Sequence, residues 1–188
     1  MEILIIGLVI FLSSHLIPSF YTARKKIVTR IGIKNYSVAF NIVSVVSVAL
    51  IIYGFKTTND FFLYTPPAWG QTVTAVLMLP AIYLFLSNSV RSAPSSAQAI
   101  TANPLSWGVV LWSFGHLIAN GEVSSVLLFA TFLLLGLTSI LTSKRRGAKP
   151  RQERRPPFSQ ELIFLLIVGI VYSVLIWGHY YITGAQLI

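Results

Sequence analysis

Long apolar runs alternate with short polar stretches along the whole chain. Each run approaches the ~20 residues that cross a ~30 Å hydrocarbon core at ~1.5 Å rise per residue. Runs over 2–21, 36–55, 70–90, 123–143 and 161–182 predict five spanning helices, and a sixth, shorter one is predicted over 104–120. Asn103 ahead of Pro104 suits an N-cap followed by proline at the first helical position, and Asn120-Gly121 supplies a stop. The predicted fold class is all-α: a polytopic membrane helical bundle of about six transmembrane helices, forming a single domain over 1–188.

The charges order these runs. The loop after the first run holds Arg24, Lys25, Lys26, Arg30 and Lys34, and the loop after the third holds Arg91. The loop after the fifth holds Lys144, Arg145, Arg146, Lys149, Arg151, Arg154 and Arg155. With six helices, 13 of the 14 Lys and Arg residues share one side and only Lys56 lies on the other. Five helices would put the two basic loops on opposite sides. The positive-inside rule therefore predicts a multi-pass protein of the inner (plasma) membrane with both termini on the non-cytoplasmic side. The first run lacks a basic leader and is followed by Thr22-Ala23-Arg24-Lys25-Lys26, so it is read as a retained helix rather than a cleaved signal. The stretch 143–157 is predicted to be a mobile, basic cytoplasmic linker whose cations touch anionic lipid.

Composition agrees with a lipid solvent. Only 10% of the 188 residues are charged, against ~25% in soluble domains, and 55% are hydrophobic. The net charge of +9 would suit nucleic acid only on a folded, groove-reading surface, and here the cations sit between apolar runs. With no cysteine, disulfides, thiolate ligation and CxxC chemistry are excluded. Trp69, Trp177, Tyr180 and Tyr181 fall near predicted helix ends, as in an aromatic belt.

Polar side chains inside spans are costly, which makes them functional candidates. All three histidines lie in predicted spans: His15, His116 and His179. Trp112, His116 and Asn120 recur at i, i+4 and i+8 on one helix face, flanked by Ser113 and Gly108. Such a stripe suits a wall against a planar cofactor, and equally a packing seam in which His116 bonds across to a hydroxyl. His15 follows Ser13-Ser14 and precedes Pro18, where a kink is expected. Ser37, Asn41 and Ser44 form a polar stripe that reads as interhelical glue.

Zinc fits poorly, because Glu2, Asp60, Glu122 and Glu161 lie near segment ends and Glu153 lies in the linker. Two neutral imidazoles from different helices suffice for haem iron, the leading metal reading. Depth leaves the pair open. At ~1.5 Å per residue His15 sits roughly 5 Å to the cytoplasmic side of its span's centre, and His116 and His179 roughly 9 and 12 Å to the outer side, which favours the latter two together. No phosphate loop, nucleophile elbow or HExxH is present.

The stretch Leu111-Trp112-Ser113-Phe114-Gly115-His116-Leu117-Ile118-Ala119-Asn120-Gly121-Glu122, preceded by Asn103-Pro104-Leu105-Ser106-Trp107, resembles the central motif of NnrU-type membrane proteins, a group that includes the zeta-carotene isomerases. The likeness extends to His15 and Arg24, to Tyr36, Phe40 and Ser44, to Pro66-Pro67-Ala68-Trp69, and to His179 and Gly184. The resemblance implies haem b ligated by His15 and His116, with Arg24, Trp112, Ser113 and Asn120 about the cofactor. It also implies either cis–trans isomerisation of an apolar polyene or an accessory part in nitrite and nitric oxide metabolism during denitrification. Two positions depart from the pattern. Asn103 stands where the family usually has His, and Ser113 where the isomerases carry a cysteine. The Asn103-Pro104 to Gly108 stretch is also similar to the Arg-His-Pro motif of isoprenylcysteine-type membrane methyltransferases, but the Arg, the His and the paired glutamates of that motif are absent.

Overall fold

The computed structural model describes residues 1–89, 95–143, 145 and 147–183, with the Ile182 side chain left out. Arg91, Lys144, Arg146 and Gly184 lie outside the described residues. Eight helices are described: α1 (Glu2–Leu16), α2 (Tyr21–Ile31), α3 (Ile33–Thr57), α4 (Gly70–Ser89), α5 (Ser96–Ile100), α6 (Pro104–Ala119), α7 (Val123–Ser143) and α8 (Phe158–Thr183). Five segments are long and apolar enough to cross a membrane: Glu2–Ser19, α3, α4, α7 and most of α8. With the shorter apolar α6 this makes about six spans. Apolar side chains such as Val45, Leu141 and Ile170 are largely exposed, as expected where lipid replaces water.

Two compact units divide the chain: 1–65 with 120–147, and 66–119 with 148–188. In the first, α1 packs against both α3 and α7. Leu4, Leu8 and Phe11 recur at helical spacing and are buried, with Ile51 of α3 and with Leu128, Phe132 and Leu135 of α7 around them. Gly7 and Gly54 bring α1 and α3 together. A Cβ on Gly7 would lie 2.9 Å from Ile51 N, and one on Gly54 would lie 2.6 Å from Leu4 Cα. Small residues at such seams let backbones approach where hydrophobic sorting cannot drive association. The polar member of the seam is Ser47, fully buried and bonded to Ser44 O at 2.9 Å. Ser37 and Asn41, expected as glue, are exposed.

Pro18 ends α1 instead of kinking it. The helix stops at Leu16 and passes through a 3-10 turn over Ile17–Ser19. The basic stretch read as a loop is then helix α2. Ala23, Ile27 and Ile31 recur every four residues among its cations, the pattern of a helix lying in the interface. Gly32, at φ 81°, makes the turn into α3.

A knot closes the other end of this unit. Phe61 O accepts from Val123 N at 3.0 Å, and Gly121 O accepts from Leu63 N at 2.8 Å. The Asp60 carboxylate accepts the Ser124 N–H at 3.2 Å and also the Ser124 hydroxyl, capping α7 from a distant loop. Asp60→Ala removes that cap. It is expected to cost about 1–2 kcal/mol and to speed amide exchange in the first turn of α7 while leaving α3 protected. Equal exchange of the first turn in variant and parent would refute the cap. Tyr64 Oη donates to Asn120 O at 2.7 Å. Desolvation, with the Glu122 charge second, holds that hydroxyl above its ordinary value, so it stays a donor through neutral pH.

In the second unit α4 packs against α6 and α8. Ile82, Phe164 and Val168 form its buried cluster. Gly108 and Gly115 set the α6 approach: a Cβ would lie 2.9 Å from Phe85 Cδ1 at the first and 3.2 Å from Thr74 Cγ2 at the second. The Thr74 hydroxyl lies 2.6 Å from Gly115 O and 2.8 Å from Gly70 O, joining the two helices. Tyr172 of α8 donates to Ala75 O at 3.0 Å, in the turn before Pro80.

Two residues of the basic linker have partners elsewhere in this unit. Gln152 Nε2 donates to Gln98 Oε1 at 2.9 Å, Gln152 N donates to Gln98 O at 3.2 Å, and Arg151 reaches Asn88. At the start of α8, Glu161 accepts from Tyr83 Oη at 2.5 Å and from Ser96 N at 2.9 Å. Within the basic stretch, Arg151 and Gln152 thus have specific partners, and Glu161 anchors the start of α8.

Candidate functional site

His15 extends the buried Leu4-Leu8-Phe11 face of α1 by one more turn. Its ring stacks on Phe11 with centroids 3.9 Å apart and planes 22° apart, and it lies 5.0 Å from Phe40 of α3. Phe132 of α7 closes on Phe11 at 5.1 Å. His15 Nδ1 is 2.9 Å from Phe11 O. A carbonyl can only accept, so Nδ1 carries the proton and Nε2 the lone pair. Ser14 Oγ donates to the same carbonyl at 2.9 Å and fixes that side of the ring.

Beyond Phe40 stands Tyr36, with ring centroids 6.3 Å apart, and the Arg24 guanidinium of α2 lies 5.7 Å from the Tyr36 ring centroid. Tyr36 Oη is buried without a hydrogen-bond partner among the described residues. A groove of about 430 Å³ runs beside this ladder, lined by Val9, Ile10, Ile27, Tyr36, Phe40 and their neighbours. Its walls are nearly all apolar.

In the second unit His116 repeats the arrangement. Its Nδ1 lies 2.8 Å from Trp112 O, and the Trp112 and His116 rings are 5.4 Å apart. The proton again sits on Nδ1 and the lone pair on Nε2. Ser113, fully buried, gives its hydroxyl to Val109 O at 2.6 Å. His179 of α8 stands within electrostatic range of His116, with its Nδ1 3.1 Å from Thr183 Oγ1. The structure thus brings His116, Trp112 and His179 together in one unit and places His15 with Arg24 in the other.

Asn120 departs from the expected stripe. α6 ends at Ala119, and Asn120 lies beyond it with its carbonyl taken by Tyr64. Gly121 is not in the left-handed region; its carbonyl pairs with the 63–64 segment, so a tertiary strand-like contact ends the helix. Asn103 behaves as expected of a cap position, its carbonyl accepting the Trp107 N–H at 3.2 Å. Phe11 was missed from the sequence, although an aromatic residue four places before each of His15 and His116 was a readable signal.

Among the described residues no group of three or more His, Cys, Asp or Glu comes together to hold a metal ion. Two spanning helices instead each present one imidazole whose ring is tied to its own backbone and flanked by an aromatic ring four residues earlier. This defines a polytopic helical membrane protein with histidines held inside its spans. The chain belongs to the NnrU family: the profile of the NnrU protein family matches residues 3–187, nearly the whole length. No curated protein and no solved structure matches it.

Proposed function

We propose that this protein is a haem b protein of the plasma membrane, with His15 and His116 as the iron ligands and His179 as the alternate. The carrying observation is that Nδ1 of each of the first two histidines is bonded to the carbonyl four residues earlier. This leaves Nε2, the nitrogen that ligates haem iron, as the lone-pair donor. Phe11 and Trp112 offer flat walls beside the two imidazoles. The Arg24 guanidinium and the orphaned Tyr36 hydroxyl are the donors suited to the carboxylates of the macrocycle. Ser113 belongs to the His116 side of the reading, one helical position from Trp112, while Asn120 stands past the end of α6.

When bound, the haem supplies an iron able to rotate a cis double bond of a polyene without net oxidation. The chain's own part is to hold the imidazoles at fixed orientation and to offer an apolar groove beside His15 for such a substrate. An accessory part in nitrite and nitric oxide metabolism uses the same ligands, and an assay with a cis-polyene separates the two. In this reading the basic loops face the cytoplasm and both termini face out.

The protein purified in detergent is expected to show a Soret band and, after dithionite, the sharp visible bands of a bis-imidazole haem. A preparation that stays colourless after haem supplementation removes the haem reading in every form.

A further inference from the structure

A second cavity, of about 550 Å³, lies where α2 begins and α7 ends. It is lined by Ser19, Phe20, Thr22, Lys26, Thr142 and Arg145, among others. Three features set it apart from the apolar groove. Its cations come from separate elements, Lys26 from α2 and Arg145 from the stretch just past α7. Neither 17–34 nor 140–152 contains an acidic residue, so no carboxylate of these stretches neutralises them. And its floor marks the ends of two spans, Glu2–Ser19 and Val123–Ser143, which places it at the level of lipid headgroups rather than of acyl chains or bulk water.

We propose that this cavity binds the headgroup phosphate of an anionic phospholipid. Lys26 and Arg145, from separate elements, supply the cations for the phosphodiester, and Ser19, Thr22 and Thr142 also line the cavity. The Phe20 ring covers the start of the acyl chains. α2 is the element that makes the site. Without it, this would be a bare end of α1; with it, a basic interfacial helix forms one wall. The inference rests on the membrane placement of the spans and is independent of the haem reading.

The test uses the full chain in detergent, delipidated and then offered phosphatidylglycerol or phosphatidylcholine, with retained lipid counted by native mass spectrometry. Phosphatidylglycerol is expected to bind roughly 30-fold more tightly than phosphatidylcholine, as two cations near the headgroup layer provide. Lys26→Gln with Arg145→Gln is expected to abolish that preference. Lys34→Gln with Arg155→Gln removes the same charge outside the cavity and is expected to keep it. Equal binding of the two lipids overturns the proposal, as does equal loss in both double variants, which would mean diffuse attraction. Displacement of phosphatidylglycerol by millimolar inorganic phosphate also overturns it, because the site would then serve a soluble anion.

Discussion

His15→Ala and His116→Ala are each expected to lower haem retention by more than about 100-fold, with loss of the low-spin bands, while His179→Ala keeps both. Groups that merely hydrogen-bond to a metal-ligating histidine alter affinity about 10–100-fold; the ligand itself must exceed that. Both histidines also pack, His15 on Phe11 and Phe40 and His116 on Trp112, so a bare loss of colour has two explanations. Added imidazole separates them, since it restores bands to a folded variant that lacks only its ligand. Retention in His15→Ala together with loss in His116→Ala and His179→Ala would transfer the iron to the pair that the depth argument favours. Those two residues do share a unit.

Gly54→Leu is expected to destabilise the protein by at least about 3 kcal/mol, read as a fall of about 10 °C in the midpoint of thermal unfolding in detergent. The reason is what the new Cβ would meet: backbone atoms of α1, with Leu4 N against it, Leu4 Cα at 2.6 Å and Ile3 C at 2.9 Å. A flexible side chain can swing away; a helix backbone moves only by parting α1 from α3. That separation would also open the Leu4-Leu8-Phe11 face and release the ring on which His15 stacks. Gly169→Leu is the matched control, because nothing lies within 4 Å of its added Cβ. It is expected to shift the midpoint by no more than a degree or two. Equal effects from both substitutions would show that the α1–α3 approach is not close.

Legibility followed the physics of each signal. Hydrophobic runs are set by the thickness of the lipid core, a one-dimensional requirement, and so 70–90 and 123–143 matched α4 and α7 almost to the residue. The start of α6 was equally readable because a proline and a cap are local chemistry. The amphipathic α2 was hidden by its cations, which dominate any average over 22–34. Its apolar stripe shows only when every fourth residue is compared. Asp60 on α7 and Gln152 on Gln98 were not legible at all, since a hydrogen bond across 64 or 54 positions leaves no periodic trace. For the candidate site, the three histidines and Arg24 could be named from the sequence. The aromatic ladder from Tyr36 through Phe40 to His15 and Phe11 depends on α3 meeting α1, and no single stretch records that.

The course of the chain through its two units bears on how the protein is made. Residues 1–65 are synthesised first, yet the flank of α1 that carries Leu8 and Phe11 gains its α7 neighbours only after the whole of 66–119 has been produced. During elongation the early hairpin of α1 and α3 therefore waits in the bilayer with one side solvated by lipid tails, held by its glycine approach, Ile51 and the His15–Phe40 contact. The seam at Gly7 and Gly54 is thus a provisional clasp during translation before it is a fixture of the finished protein.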